Sequence, residues 1–285
     1  MKNPLPVCPG TKIHHRTGEW LPQSFADCLA EIDALKNVAI AEKALLLYRG
    51  HAHREWCLDS TFVRVVKAKL FDMAATEGFS EHLRQSGDLN AMLSSLFLLK
   101  FGSLVGPSPE LFTAEGEHGV DSWFELMKRY QQYPGEDMQL LKGTNLLDWS
   151  RSSDVALYFA NDRRESAGAL FVCDATITGK TLQVVPVAEI LNKIRNQFLA
   201  GESNGSPLLF SPKKQIAYQR AKNQQAVYFA QMELRSDLLE LWRLQEQEMN
   251  EDVIVVKIVL PTESQQECAS YLEAKGIDEA FIYPD

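Results

Sequence analysis

The run Leu45-Leu46-Leu47-Tyr48-Arg49-Gly50 constrains this chain more than any other segment. Four apolar residues in a row, closed by a breaker, read as a short strand buried on both faces of a sheet. The arginine at its end stays charged, so it must reach solvent, a carboxylate or a bound anion. Gly50 allows a ligand or another backbone to come close. The segment is therefore a candidate anion-binding position at the edge of a core sheet. Pairing of Arg49 with an acidic neighbour is the alternative that this segment leaves open.

The rest of the chain fits a sheet with helices around it. Ser24 to Leu35 reads as a helix, with Ser24 and Asp27 resembling a capping box and Phe25, Cys28, Leu29, Ile32 and Leu35 on one face. Residues 1–22, rich in proline, histidine and turn formers, read as an irregular extension. From Ser60 to Gln132 the apolar spacing is helical, broken at Gly106-Pro107-Ser108-Pro109. Thr144 to Asp148 reads as a strand or turn, Ser152 to Asn161 as a helix and Ala169 to Ala175 as a strand. Pro186 to Phe198 reads as a helix and 201–212 as a loop, mobile and near a pocket rim. Ala226 to Ala230, Val253 to Leu260 and Ala280 to Tyr283 read as strands. Ser236 to Glu248 and Glu263 to Lys275 read as helices, the second closed by Gly276. The expectation is an α+β fold: an N-terminal extension and helix over 1–40, then one domain over 41–285 with a helical insertion at 60–132.

Composition narrows the function classes. The net charge of −9 is the reverse of the basic surplus that phosphate neutralisation gives nucleic-acid binders. Lys213-Lys214 and Arg220-Ala221-Lys222 form a local basic cluster, so nucleic acid is disfavoured without being excluded. The five cysteines are odd in number, scattered and free of any Cys-x-x-Cys pair, which argues for free thiols in a cytoplasmic protein and against a metal site. No stretch approaches the ~20 apolar residues of a membrane span, and the first residues lack the apolar core of a signal peptide. His14-His15 reads as surface loop. No nucleophile-elbow, Walker, His-Glu-x-x-His or Rossmann glycine pattern is present.

Four segments carry polar residues that look placed: Tyr48-Arg49-Gly50-His51; Gly143-Thr144-Asn145-Leu146-Leu147-Asp148-Trp149-Ser150 with Val155-Ala156-Leu157-Tyr158-Phe159-Ala160; the apolar run Ala167 to Val172; and Arg220 to Phe229. Together they resemble the FRG domain family, named for its Phe/Tyr-Arg-Gly motif. That family's second signature, Pro-Thr-Arg-Leu-Leu-Asp-Trp-Thr followed by an Ala-Leu-x-Phe-Ala helix, is similar to residues 143–160. Its arginine four residues before a glutamine matches Arg220 and Gln224, and Ser60-Thr61-Phe62-Val63-Arg64 resembles an early Ser-x-x-x-Arg element. The resemblance spans about residues 40–285. This chain departs from it at His51, where the family usually has glutamine, and at Gly143 and Asn145, where it has proline and arginine.

The motif order is also similar to that of mono-ADP-ribosyltransferases. That similarity implies an ADP-ribosyltransferase-like mixed sheet, NAD as substrate, no metal, and cleavage of the nicotinamide glycosidic bond, in a toxin or defence effector whose acceptor is unknown. Arg49 would hold the pyrophosphate or nicotinamide ribose through its forked donors. Thr144 would take the place of the second motif's hydroxyl, and Trp149, Tyr158 or Phe159 would stack on nicotinamide. Gln224 would stand where those enzymes place a glutamate, with Arg49 and Thr144 beside it in the catalytic set. Tyr48, Gly50, His51 and Arg220 complete the ligand-binding expectation, and Asp148 and Arg64 support it. A neutral amide supplies only dipole stabilisation to a cationic ribose. The alternative is a non-catalytic nucleotide- or ligand-binding module on the same fold.

Overall fold

The computed structural model describes Leu5 and residues 7–65, 67–68, 143–144, 146–176, 208–210, 219–231, 236–248 and 253–284. The described strands are β1 (Lys12–Ile13), β2 (Trp20–Leu21), β3 (Leu46–His51), β4 (Leu146–Ser150), β5 (Gly168–Asp174), β6 (Leu208–Phe210), β7 (Ala226–Ala230) and β8 (Val255–Leu260). They form one sheet in the order β1-β2-β8-β5-β3-β4-β7-β6. The sheet is mixed: β2 runs parallel to β8, and the other pairings are antiparallel. The apolar runs of β3, β5 and β8 lie at its centre because both of their faces are covered.

One face packs against α1 (Phe25–Glu42), α2 (Ser153–Asn161) and α5 (Gln265–Ala274) through Leu46, Tyr48, Leu170, Val172, Ile258 and Leu260. The other carries Leu47, Leu147, Trp149, Phe171 and Phe229 beneath Trp242 of α4 (Leu238–Glu248). Ser24 caps α1, its hydroxyl oxygen accepting from the Asp27 amide at 3.1 Å. The helix runs to Glu42, beyond the expected end at Leu35, and stops where Lys43 turns left-handed with φ 55°. α3 (Gln219–Asn223) precedes β7, and α6 (Glu279–Ile282) closes the described chain.

Several expectations are corrected. Residues 1–22 are not wholly irregular: β1 and β2 extend the sheet, with Trp20 in register with Ile258. Residues 208–210 are strand β6, paired with Tyr228–Ala230, not loop. Ala280 to Tyr283 is not a strand; Asp278 caps a helical turn there, its carboxylate accepting from the Phe281 amide at 2.8 Å. The expected helices over 69–132 and 186–198, the rest of the 201–212 loop and the Lys213-Lys214 cluster lie outside the described residues. Residues 61–65 are helical.

α2 lies directly on the sheet because both sides are small. A Cβ on Gly50 would stand 1.8 Å from the Ala156 carbonyl oxygen, and one on Gly168 would stand 2.4 Å from that of Ala160. Gly50 thus receives a helix backbone, the second of the two uses expected for it.

Candidate functional site

β3 and β4 share the single register pair Tyr48↔Ser150, whereas β3 and β5 hold six residues in register. Beyond that pair, the two central strands part. A cleft of about 190 Å³ opens there, lined by Tyr48, Arg49 and Gly50 of β3, and by Asp148, Trp149 and Ser150 of β4. Val155, Ala156 and Phe159 of α2 form one wall, and Arg220, Gln224 and Ala226 form another.

Arg49 bridges the parting. By strand alternation it leaves β3 on the side of Leu47 and His51. Its Nη1 donates to the Asp148 carbonyl across the gap, and its Nε donates to His51 Nε2 at 3.0 Å. Burial lowers its guanidinium to about 10, with Asp148 opposing that shift and Arg64 adding to it, so Arg49 stays charged at neutral pH. Among the described residues its Nη2 edge has no partner.

Gln224 reaches the cleft from the other side. The Ser150 hydroxyl donates to its carbonyl at 2.7 Å, and its Nε2 donates to the Ile282 carbonyl at 3.0 Å. Ile282 offers only an acceptor there, which fixes the amide's orientation and leaves Oε1 to accept. Arg220, one turn earlier on α3, stacks on Tyr283 with Cζ 4.6 Å from the ring centroid. Phe159 meets the same ring edge-on at 6.4 Å between centroids. Asp148 is exposed and is the one carboxylate among the described lining residues.

Arg49, Tyr48, Gly50, Asp148, Trp149, Arg220 and Gln224 therefore line one cleft. Four expected site residues do not: Thr144, Tyr158 and His51, expected as ligand contacts, and Arg64, expected in support. Thr144 is fully buried at the far end of β4; its hydroxyl oxygen accepts from the Leu146 amide at 3.2 Å and its carbonyl from the Phe62 amide at 3.2 Å. It shapes the entry to β4. The Trp149 ring points into the core, edge-on to Phe229 at 5.3 Å and Trp242 at 5.6 Å, so only the rest of the residue faces the cleft. Tyr158 packs beside the α1–α2 core, where burial pushes its phenol up to about 12. His51 is buried behind Arg49. Exposed Arg64 donates to the Thr61 hydroxyl at 3.3 Å and acts on Arg49 through its charge.

Two parts escaped the sequence reading. Tyr283 and the Ile282 carbonyl hold Arg220 and Gln224 in place. The signal for them was Asp278 followed by Glu279-Ala280-Phe281-Ile282, a cap before a short apolar turn. No group of histidine, cysteine and acidic side chains suited to a metal occurs among the described residues, and none of their helices is long and apolar enough to cross a membrane. No family model matches the chain, and no curated protein or solved structure matches it either.

Proposed function

We propose that the cleft where β3 and β4 part binds the nicotinamide-ribose end of NAD, in an ADP-ribosyltransferase-like protein of FRG type that cleaves the glycosidic bond. The observation that carries this reading is the lining: two arginines, a glutamine and an aspartate, drawn from β3, β4, α3 and the turn after it, beside Phe159. The order of parts supports it: an arginine-bearing strand, a strand with its alanine-rich helix, then a glutamine before a late strand. A space of about 190 Å³ is smaller than the ~300–1,000 Å³ of whole-ligand pockets, which suits one end of a dinucleotide.

The chemistry asked of these residues is simple. The C–N bond breaks, nicotinamide leaves with its electron pair, and positive charge grows on the ribose. The Asp148 carboxylate would stabilise that charge, and Gln224 Oε1 would accept from a ribose hydroxyl. Arg49 and Arg220 would hold phosphate oxygens. Water or an acceptor nucleophile then adds to the ribose carbon.

Incubating the purified chain with NAD and measuring nicotinamide tests this directly. Arg49→Ala should weaken NAD binding by about 1.5–3 kcal/mol, the usual size for a hydrogen bond to a charged group. Asp148→Asn should cut turnover roughly 100-fold or more while leaving affinity nearly intact. NAD binding without nicotinamide release would support the second reading, a non-catalytic nucleotide-binding module. That reading is favoured by the neutral amide of Gln224 and by the position of Thr144 away from the cleft. No binding of NAD at millimolar concentration would end both.

A further inference from the structure

His51 is held by two partners of fixed character. Its Nε2 lies 3.0 Å from Arg49 Nε, which can only donate. Its Nδ1 lies 3.3 Å from the Trp56 carbonyl oxygen, which can only accept. Those two partners together allow one form of the ring: neutral, with its proton on Nδ1. The ring is 5% exposed and sits edge-on to Phe171 at 5.1 Å and Trp56 at 5.9 Å, so it has little freedom to turn. The charged groups acting on it are cations from three elements: Arg49 on its own strand, Arg64 of the helical turn at 61–65, and Lys257 on β8. Lys257 is itself bound to Glu19, and Asp148 lies across the gap from Arg49. Burial first, then the Arg49 charge, hold the imidazole pKa well below its ordinary range.

We infer that His51 is a positioning residue for Arg49, a clamp that fixes the guanidinium across the β3–β4 gap and leaves its Nη2 edge for an anionic ligand. One proton undoes the clamp. Protonation at Nε2 replaces the acceptor with a donor, so the Arg49 Nε–H···Nε2 bond is lost and two cations face each other. The anion affinity of the cleft then falls on acidification with uptake of a single proton. The ligand half of this inference rests on the nucleotide-binding reading above; the clamp itself does not.

Three forms of the full chain separate the possibilities: the wild type, His51→Gln and His51→Leu. A glutamine offers Oε1 to Arg49 and Nε2–H to the Trp56 carbonyl, and it does not titrate in this range. In nitrogen-edited NMR of the unliganded protein, one arginine Nε–H should exchange slowly at neutral pH and vanish in Arg49→Lys, which assigns it. It should be lost from the wild type as the pH falls well below the ordinary histidine range, persist in His51→Gln, and be missing from His51→Leu at every pH. NAD affinity should drop about tenfold over the same range in the wild type, the size of one lost hydrogen bond, and stay flat in His51→Gln. An Nε–H that remains protected in His51→Leu, or an acid loss as steep in His51→Gln as in the wild type, overturns the clamp. If His51→Leu does not fold, the comparison of wild type with His51→Gln still decides. If the exchange pattern holds and NAD does not bind, the clamp stands and the nucleotide reading alone falls.

Discussion

Gly50→Ala should abolish the native fold or destabilise it by more than about 3 kcal/mol, the upper end of the usual cost of overpacking. The added Cβ would stand 1.8 Å from the Ala156 carbonyl oxygen and 2.5 Å from the Ala160 amide nitrogen. Both atoms belong to helix backbone, so no side chain can swing aside to relieve the clash. The helix would have to lift from β3, opening contacts of Leu157 and Ala160 with the core and deforming the wall of the cleft. Gly276→Ala is the informative companion. Gly276 has φ +68° but nothing within 4 Å of an added Cβ, so the change should cost only about 1 kcal/mol, from backbone strain alone. Urea unfolding of both variants separates steric from conformational cost. A Gly50→Ala protein as stable as Gly276→Ala would mean that α2 does not rest on β3 as described.

The same contact explains why some of the sequence was legible and why its meaning shifted. The Arg-Gly pair and the Ala-Leu-x-Phe-Ala helix stand out as motifs, and both invite a ligand. In the fold they fit each other: Gly50 is the socket and Ala156 and Ala160 are the small face that enters it. A small residue kept for helix packing and one kept for ligand approach look alike in a sequence, because both report only that something comes close. Arg49, Asp148, Arg220 and Gln224 could be picked out as polar residues at the ends of apolar runs, where a buried polar group needs a partner. Thr144 and Trp149 had the same appearance, but a strand reverses its face at each residue and a shift along it changes the neighbourhood entirely. Those two are spent on the entry to β4 and on the aromatic core.

What the sequence hid is mostly long-range. The strands β1, β2 and β6 contain two or three residues each, and their extended form comes from the partner strand rather than from any local pattern. Ala280 to Tyr283 is an apolar run too short to tell strand from helix; the Asp278 cap decides it. Arg164 was also silent. It is 2% exposed and donates to Asn161, the carbonyls of Ser166, Leu260 and Pro261, and the Ser264 hydroxyl, tying the end of β8 to α2 and α5. Nothing nearby in sequence announces a guanidinium with five neutral acceptors.

Glu19→Gln should destabilise the protein by about 3–5 kcal/mol at neutral pH, the cost of leaving a buried charge without its partner. Glu19 stands immediately before β2, and its carboxylate accepts from Lys257 Nζ at 2.6 Å, Arg54 Nη2 at 2.5 Å and the Thr17 hydroxyl at 2.9 Å. It joins the N-terminal hairpin to β8 and to the segment after β3. The Lys257 side chain is 9% exposed, so its ammonium cannot turn to water when the charge opposite it is removed. Burial by itself would raise the Glu19 carboxyl, yet the hydrogen bonds from Arg54, Lys257 and Thr17 outweigh it and hold the group at about 2, below its ordinary 4.5. The sign follows from that order. The stabilisation is fully present above pH 4.5 and is lost as the pH falls from there toward about 2. A shift of that size corresponds to roughly 3 kcal/mol at about 1.4 kcal/mol per unit. His51 acts in a higher window: its pKa is lowered by folding, so stability falls as the pH drops below the ordinary histidine range, and His51→Gln removes that part. Glu19→Gln should remove the lower part and leave the upper one. Adding Lys257→Met to Glu19→Gln should restore most of the loss, because an apolar side chain against Phe171 replaces an unpaired cation. Denaturant midpoints of the single and double variants across this pH range measure each term. A Glu19→Gln protein within about 1 kcal/mol of the wild type at neutral pH, the worth of an exposed ion pair, would show that Lys257 finds water or another anion there.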